Sequence, residues 1–484
     1  MKYFLDRILL CCLLFQATAC NDWLQVKPRT EIESEENFSN EQGYKDALTG
    51  AYLLMGTTSL YGREMTYGMV DVMGQYYGGV QSSSNSYYYA HSYDFSASTN
   101  VSRINAMWSG VYNVIANVNE LIRHIDRAEK SMFTGRNYHL IRGEAYGLRA
   151  FLHFDLLRLF GPSYIVGADE VAIPYVTDVT TSVIPLSTVK QTLTRIQEDL
   201  IVAESELTVD PVVDDEVRTT DDEGYQRDRT FKFNYYAVKM LQARAYLYAQ
   251  NYTEAAKAAE VVISQELFTW VPEEELSTLD TDSRNNVASE ELVFALYVNA
   301  LESYYTAYFT GETNGFYLKE NDYKLIFEES KYQKTDFRWL YQSQVLSNYY
   351  YCTKLKQTTK TGYNRRLPLI RLSEAYYIAA ECALKQFSDI TTAVGYLNTV
   401  RSHRGLNVEL ASTLTAAEVE NEIYKEYLKE FFCEGQLFFY YKRNNWEQIP
   451  YYRGYSSNTS KIVPNYVFPL PDDELEYGGR SKNN

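Results

Sequence analysis

Glu430 and Glu434 stand four residues apart, a spacing that puts two carboxylates on one face of a helix, a turn from each other. Such a pair could share a proton in general acid/base work. Phe431 and Phe432 lie between them and no histidine accompanies them. The spacing therefore predicts ion pairing, with Lys442 and Arg443 as the partners that pin the C-terminal helix. The five histidines (His91, His124, His139, His153 and His403) form no H-E-x-x-H pattern, and the chain has neither a G-x-S-x-G elbow nor a phosphate-cradling glycine loop. Asp280-Thr281-Asp282 lacks the glycine and the closing glutamate of a calcium loop. No metal, no cofactor and no catalytic residue is expected, although an ion at the acidic 210–224 segment stays open. A helical glycoside hydrolase is the enzymatic alternative, and it would need two opposed carboxylates roughly 5–9.5 Å apart across a cleft.

Binding chemistry is better represented. The chain has 46 tyrosines, and aromatic residues make up 15% of it. Many are clustered, as at Tyr76-Tyr77, Tyr87-Tyr88-Tyr89, Tyr304-Tyr305 and Tyr349-Tyr350-Tyr351. A pyranose needs a flat apolar face against its C–H side and short polar groups for its hydroxyls. Tyrosine offers both, with little rotamer entropy to lose on binding. Most such side chains still belong to the core. The net charge of -17 argues against nucleic acid and against adhesion to anionic lipid, and favours uncharged ligands.

One residue points to covalent chemistry. Lys2 and Arg7 flank a charged start, Ile8 to Phe15 is unbroken and apolar, and Ala17-Thr18-Ala19 precedes Cys20. This is the layout of an export signal too short to span a bilayer. It resembles the lipobox of bacterial lipoproteins, with Ala17 where leucine is usual, and so implies acylation of Cys20 and a lipid anchor on a membrane. One acyl chain binds only marginally, so two or three are needed to hold firmly. Cleavage would remove Lys2, Arg7 and Asp6 and take the charge from -17 to -18. The remaining cysteines, Cys352, Cys382 and Cys433, are widely spaced and odd in number, which supports neither a disulfide framework nor a zinc site.

The elements that must carry these residues are helical. Ile104 to Asp126 places Trp108, Tyr112, Ile115, Asn119 and Ile122 on one face, and Trp108 reads as a core plug. Tyr138 to Phe160 repeats the period and stops at Gly161-Pro162, and Ser187 to Leu207 opens on a serine cap. Phe233 to Ser264 and Leu372 to Val400 are each two helices with small residues at the crossing and a brief turn, similar to tetratricopeptide repeats. Four such pairs would stack into a curved scaffold. Residues 56–103 and 299–363 show no sustained period, and irregular stretches that long are usually functional.

An opening at Cys20 to Pro28 and six further blocks, in order, identify the chain as similar to the SusD/RagB lipoproteins of bacterial glycan-uptake systems. After Cys20 to Pro28 come Trp108-x-x-x-Tyr112-x-x-Ile115-x-x-x-Asn119 and Arg142-Gly143-Glu144-Ala145-x-x-Leu148-Arg149-Ala150. Arg371-Leu372-x-Glu374-Ala375 with Ala380-Glu381, and Leu397-Asn398-x-Val400-Arg401-x-x-Arg404-Gly405, follow. Glu430-Phe431-x-x-Glu434-Gly435 and Phe468-Pro469-Leu470-Pro471-x-x-Glu474-Leu475 complete the series. Tyr440-Tyr441-Lys442-Arg443 departs from the family, which more often has aspartate before the basic pair.

The resemblance implies a predominantly α fold: a tetratricopeptide-like scaffold with long irregular loops and a few short strands. It implies a leader at 1–19, an N-terminal region with the ligand loop at 20–230 and a C-terminal repeat region at 231–484. Function would be capture of oligosaccharides at the outer membrane, on the cell surface, and delivery to a SusC-like TonB-dependent transporter. A peptide-binding RagB-like role is the alternative. The ligand site would lie on loops outside the repeats. The first is Tyr67 to Asn100, with Asp71, Gln75, Tyr76, Tyr77, Asn85, Tyr87, Tyr88 and Tyr89. The second is Tyr304 to Asp322, with Tyr305, Tyr308, Asn314 and Tyr317. Asp336-x-Arg338 resembles a family pair and reads as structural.

Overall fold

The computed structural model describes residues 35–180, 182–213, 225–311, 315–360, 362–452 and 460–480. The expected leader, Cys20 and Asn314 lie outside the described residues.

The fold is predominantly helical. Helices α1 (Glu41–Met55), α2 (Ser98–Ile125), α3 (Asn137–Phe160) and α4 (Val189–Glu206) lead into α5 (Tyr235–Tyr248) and α6 (Tyr252–Ile263). Later come α7 (Leu301–Phe309), α8 (Leu372–Phe387), α9 (Ile390–Ser402), α10 (Ala416–Glu430) and α11 (Gln436–Arg443). Each long helix packs on its neighbour, in the order α2, α3, α4, α5, α6, α8, α9. Ala237 and Ala245 of α5, Ala255 and Ala259 of α6, and Ala375 of α8 are fully buried, which lets the backbones approach closely. The starts are set by side-chain caps: Asn234 accepts from the Ala237 N–H, Asn251 from Glu254 and Asp389 from Thr392. At α4 the cap is Thr188, one residue beyond the expected Ser187, because Thr188 and Gln191 complete a reciprocal capping box. The expected 3.6-residue periods are all helices here, and one buried core runs through both halves of the chain.

The segments without period are not structureless. They hold helices of four to nine residues, too short to show periodicity, and three of the nine strands among the described residues. β1 (Val171–Pro174) pairs with β2 (Leu186–Thr188), β3 (Leu292–Tyr297) with β7 (Arg366–Arg371), and β8 (Ile449–Tyr451) with β9 (Ser460–Ile462). A three-stranded antiparallel sheet has the order β4 (Tyr317–Lys319), β6 (Tyr349–Cys352), β5 (Ser343–Leu346). Ser347 and Asn348, both with positive φ, make the two-residue hairpin turn between β5 and β6.

A buried ionic cluster ties the repeats to the irregular half. Glu430, at the end of α10, meets Arg371 at 2.8 Å, Arg404 at 2.7 Å and Arg338 at 3.0 Å. Arg404 and Arg371 also reach Glu291, at 2.5 and 3.2 Å. Glu434 takes Arg371 and Lys354, both at 3.0 Å. Arg338 pairs with Asp336 at 2.7 Å and Glu426 at 2.9 Å, so the Asp-x-Arg pair is structural as expected. Burial pushes Glu426 up, but Arg338, Lys429 and Arg401 outweigh it and hold the carboxyl at about 2.

The expected partners of Glu430 and Glu434 were the wrong ones. Arg443 binds Glu381 at 2.5 Å, and Lys442 donates to the carbonyls of Arg158, Gly161 and Tyr466 at 2.6–2.7 Å. The chain turns sharply after Glu430, so α11 carries Lys442 to the C-terminal end of α3. The orphan carbonyls there attract a cation. Trp108 is buried against Phe160, as expected of a core plug, and its Nε1 donates to Glu474 at 3.1 Å.

Replacing Arg404 by methionine leaves Glu291 and Glu430 under-paired in a dry site. Chemical unfolding should show a loss of about 3–5 kcal/mol. The paired Glu426 titrates below its unfolded value of 4.5, so its stabilising contribution is present above that pH and fades as the pH falls toward 2.

Candidate functional site

The two loops expected to hold ligand residues meet in space. The Gly78 N–H donates to the Tyr317 carbonyl at 2.8 Å. Phe316, fully buried, stacks on Tyr77 at 4.7 Å and on Tyr308 at 4.8 Å, while Tyr87 approaches it edge-on at 5.1 Å. Gly79 sits so close that a Cβ there would lie 2.2 Å from the Gly315 carbonyl oxygen and 2.7 Å from the Tyr317 ring. Only a residue without a side chain lets the loops close into one seam.

Most of the expected ligand residues form the inside of that seam. Asp71, Gln75, Tyr76 and Tyr77 have no exposed surface, and Tyr87, Tyr305 and Asn85 have 1%, 4% and 7%. These are corrections, and each has a physical cause. The Asp71 carboxylate accepts the N–H groups of Cys433 at 3.1 Å and Gly435 at 3.0 Å, and the Tyr77 hydroxyl at 2.5 Å. Tyr76 donates to the Leu428 carbonyl at 3.1 Å. Both therefore bolt the first loop to the end of α10 and the turn that follows it. Gln75 donates to the His91 carbonyl, Asn85 accepts the Tyr87 N–H, and the Tyr87 hydroxyl donates to Glu64. The Tyr305 hydroxyl accepts from Gln344 at 3.0 Å. Large rings with one polar tip fill irregular cores well, provided the tip finds a partner.

What remains at the surface is a smaller set. Tyr89 is 40% exposed. Tyr88, Tyr308 and Tyr317 are half-buried. Sequence reasoning passed over Tyr349, half-buried, whose ring stacks on Tyr317 at 4.0 Å. Alternation in β6 could have found it. Tyr349 and Tyr351 share one face of the sheet with Tyr317, while Tyr350 turns to the other and stacks on Tyr323 at 4.1 Å. The exposed Leu346 is registered opposite Tyr349, and Ser82, Ser83, Ser84 and Asn348 are exposed polar neighbours in sequence. Arg63 donates to the Tyr308 hydroxyl at 3.0 Å and pairs with Glu64. The result is a stacked, half-buried Tyr317–Tyr349 pair beside the hairpin turn, which carries the exposed Asn348. No group of three or more metal-ligating side chains occurs among the described residues.

The family model for the SusD family matches residues 212–479. The chain belongs to the SusD family. A second model, described as starch-binding and associating with the outer membrane, matches residues 22–221. Among solved structures, a SusD superfamily protein from Bacteroides thetaiotaomicron is 24% identical with a TM-score of 0.71, over 92% of this chain and 100% of its own. A SusD-like carbohydrate binding protein from Bacteroides vulgatus is 18% identical, TM-score 0.69, over 91% and 97%. Surface glycan-binding protein A from Bacteroides thetaiotaomicron, in complex with laminarihexaose, is 17% identical, TM-score 0.65, over 91% and 99%. No curated protein matches the sequence. These likenesses establish the SusD fold for the repeats and the seam together. Among the described residues, no helix is long and apolar enough to cross a membrane.

Burial raises the Asp71 carboxyl from 3.8 to about 7, against the pull of its three hydrogen bonds. A folded value above the unfolded one means the proton favours the native state. That contribution is complete below about pH 4 and is lost as the pH rises through 7, by up to about 4 kcal/mol. Asp71→Asn should remove this slope. Unfolding curves of wild type and variant that run parallel between pH 4 and 7 would refute the assignment.

Proposed function

We propose that this SusD-family protein is a lipid-anchored binding protein of the outer membrane, displayed at the cell surface. It captures oligosaccharides and hands them to a SusC-like TonB-dependent transporter. The observation that carries the reading is the parallel Tyr317–Tyr349 pair at the outer edge of the seam, where two tyrosine-rich loops close together. Stacked rings at a surface offer the flat apolar face a pyranose needs, and the exposed Asn348 next to Tyr349 in the chain can serve its hydroxyls. The solved relatives described as carbohydrate-binding, one holding laminarihexaose, support the same class of ligand.

The half-buried pair is suited to reversible contact. A cargo carrier gains from weak, repeated binding close to a pore, where tethering raises the effective concentration. Cys20 would supply the tether. The protein acts as a binder rather than an enzyme.

Two measurements test this. On a panel of neutral polysaccharides and oligosaccharides, wild type should bind, and Tyr317→Ala combined with Tyr349→Ala should weaken binding about tenfold or more. Tyr76→Phe, inside the seam, should bind as wild type. Equal binding by the double variant, or a preference for peptide mixtures over every glycan, defeats the reading. Release of reducing ends from a bound glycan would make the protein an enzyme instead. Separately, Cys20→Ser should move the protein from the membrane fraction to the soluble fraction and abolish incorporation of labelled fatty acid.

A further inference from the structure

A second row of aromatic rings lies on the repeat stack, built from segments that contribute nothing to the seam. Tyr396 of α9 and Tyr376 of α8 have ring centres 6.1 Å apart. Tyr376 is 5.2 Å from Trp270, and Trp270 is 4.9 Å from His403, whose imidazole lies within 12° of parallel to the indole. The first three rings are partly exposed and His403 is exposed. Small buried residues such as Ala255, Ala259, Ala375 and Ala393 fill the helix crossings, while Trp270, Tyr376 and Tyr396 pack against the core from outside with part of each ring still exposed.

The row ends in an open cleft of about 750 Å³ between Trp270, Phe337 and His403. Gly405, with φ at +75°, presses its backbone onto the Phe337 ring, where a Cβ would come within 2.5 Å. A side chain there would be strained and would displace the ring. The rim carries Glu273, Ser402 and Asn407. The one cation at the rim, Lys334, is held by Glu329 at 3.3 Å. Flat aromatic faces bordered by hydroxyl, amide and carboxylate groups suit an uncharged, hydroxyl-rich ligand, and the acidic protein favours nothing anionic.

We propose that this cleft is a second carbohydrate site, so that a long glycan can engage the repeat edge and the seam together. The proposal rests on the glycan reading above. Linking two weak contacts on one chain raises retention of a polymer well beyond that of a short oligosaccharide.

Trp270 also covers Arg404, at 5.3 Å from the guanidinium carbon, and so shields the buried ionic cluster. Its removal could unfold the region, which makes His403→Ala the cleaner probe, with Tyr396→Ala as a second. Both should melt as wild type. The probes are the neutral polysaccharides and oligosaccharides of the same panel, with calorimetric stoichiometry for the shortest oligosaccharide that binds. Wild type should bind two per protein, and His403→Ala and the Tyr317/Tyr349 double variant one each. His403→Ala should also lose about tenfold in retention by the polymer. A wild-type stoichiometry of one that only the seam variant abolishes overturns the second site alone. Loss in His403→Ala with none in the seam variant overturns the seam and leaves the cleft standing. No glycan binding by wild type removes both.

Discussion

Everything else in this structure is arranged around a dry knot of guanidinium and carboxylate groups. Glu430 meets three arginines that arrive from α9's end, from the strand before α8 and from the 337–341 helix. No member of the pairs around Glu430 has more than 3% of its side chain exposed. Removing charges from water is costly, and the attraction within such a cluster compensates only when every group finds its partners. The knot therefore admits few arrangements of the segments that meet there. It acts as a registration point for a chain whose irregular half has little periodic structure of its own.

The seam inherits its geometry from that point. The turn after α10 presents the Cys433 and Gly435 N–H groups to Asp71, and the last turn of α10 itself presents the Leu428 carbonyl to Tyr76. These contacts fix the first loop. Phe316 then passes the position to the second loop through rings that touch on both sides. Surface tyrosines are thus held by buried tyrosines, which are held by a turn, which is held by salt bridges.

The repeats were legible because helical period and small crossing residues are imposed by packing itself. The blocks were legible as a series, and four of them, those at residues 142–150, 371–381, 397–405 and 430–435, share one role. Glu144 and Arg229, Arg149 and Asp199, Arg244 and Glu374, and the Arg371, Arg404, Glu430 and Glu434 group are all buried ion pairs. The proposed ligand face was harder to read. A tyrosine that fills the core and one that meets solvent look alike in sequence, since the side chain satisfies both settings. Tyr76 and Tyr77 were placed on the outside for that reason, and Tyr349 was passed over. The partners of Lys442 and Arg443 were misjudged because a sharp turn separates them from Glu430, and no helical spacing applies across it.

The hairpin of β5 and β6 carries a consequence for how such a surface can diverge. Tyr349 and Tyr350 point to opposite sides of one strand, the first toward Tyr317 and the second toward Tyr323. Insertion or deletion of a single residue at Ser347-Asn348 that shifts the register of β6 would exchange the sides on which the two rings stand. Side chains at these positions can therefore change freely, whereas a one-residue change in the turn that is passed into β6 inverts the proposed ligand face, and a two-residue change restores it.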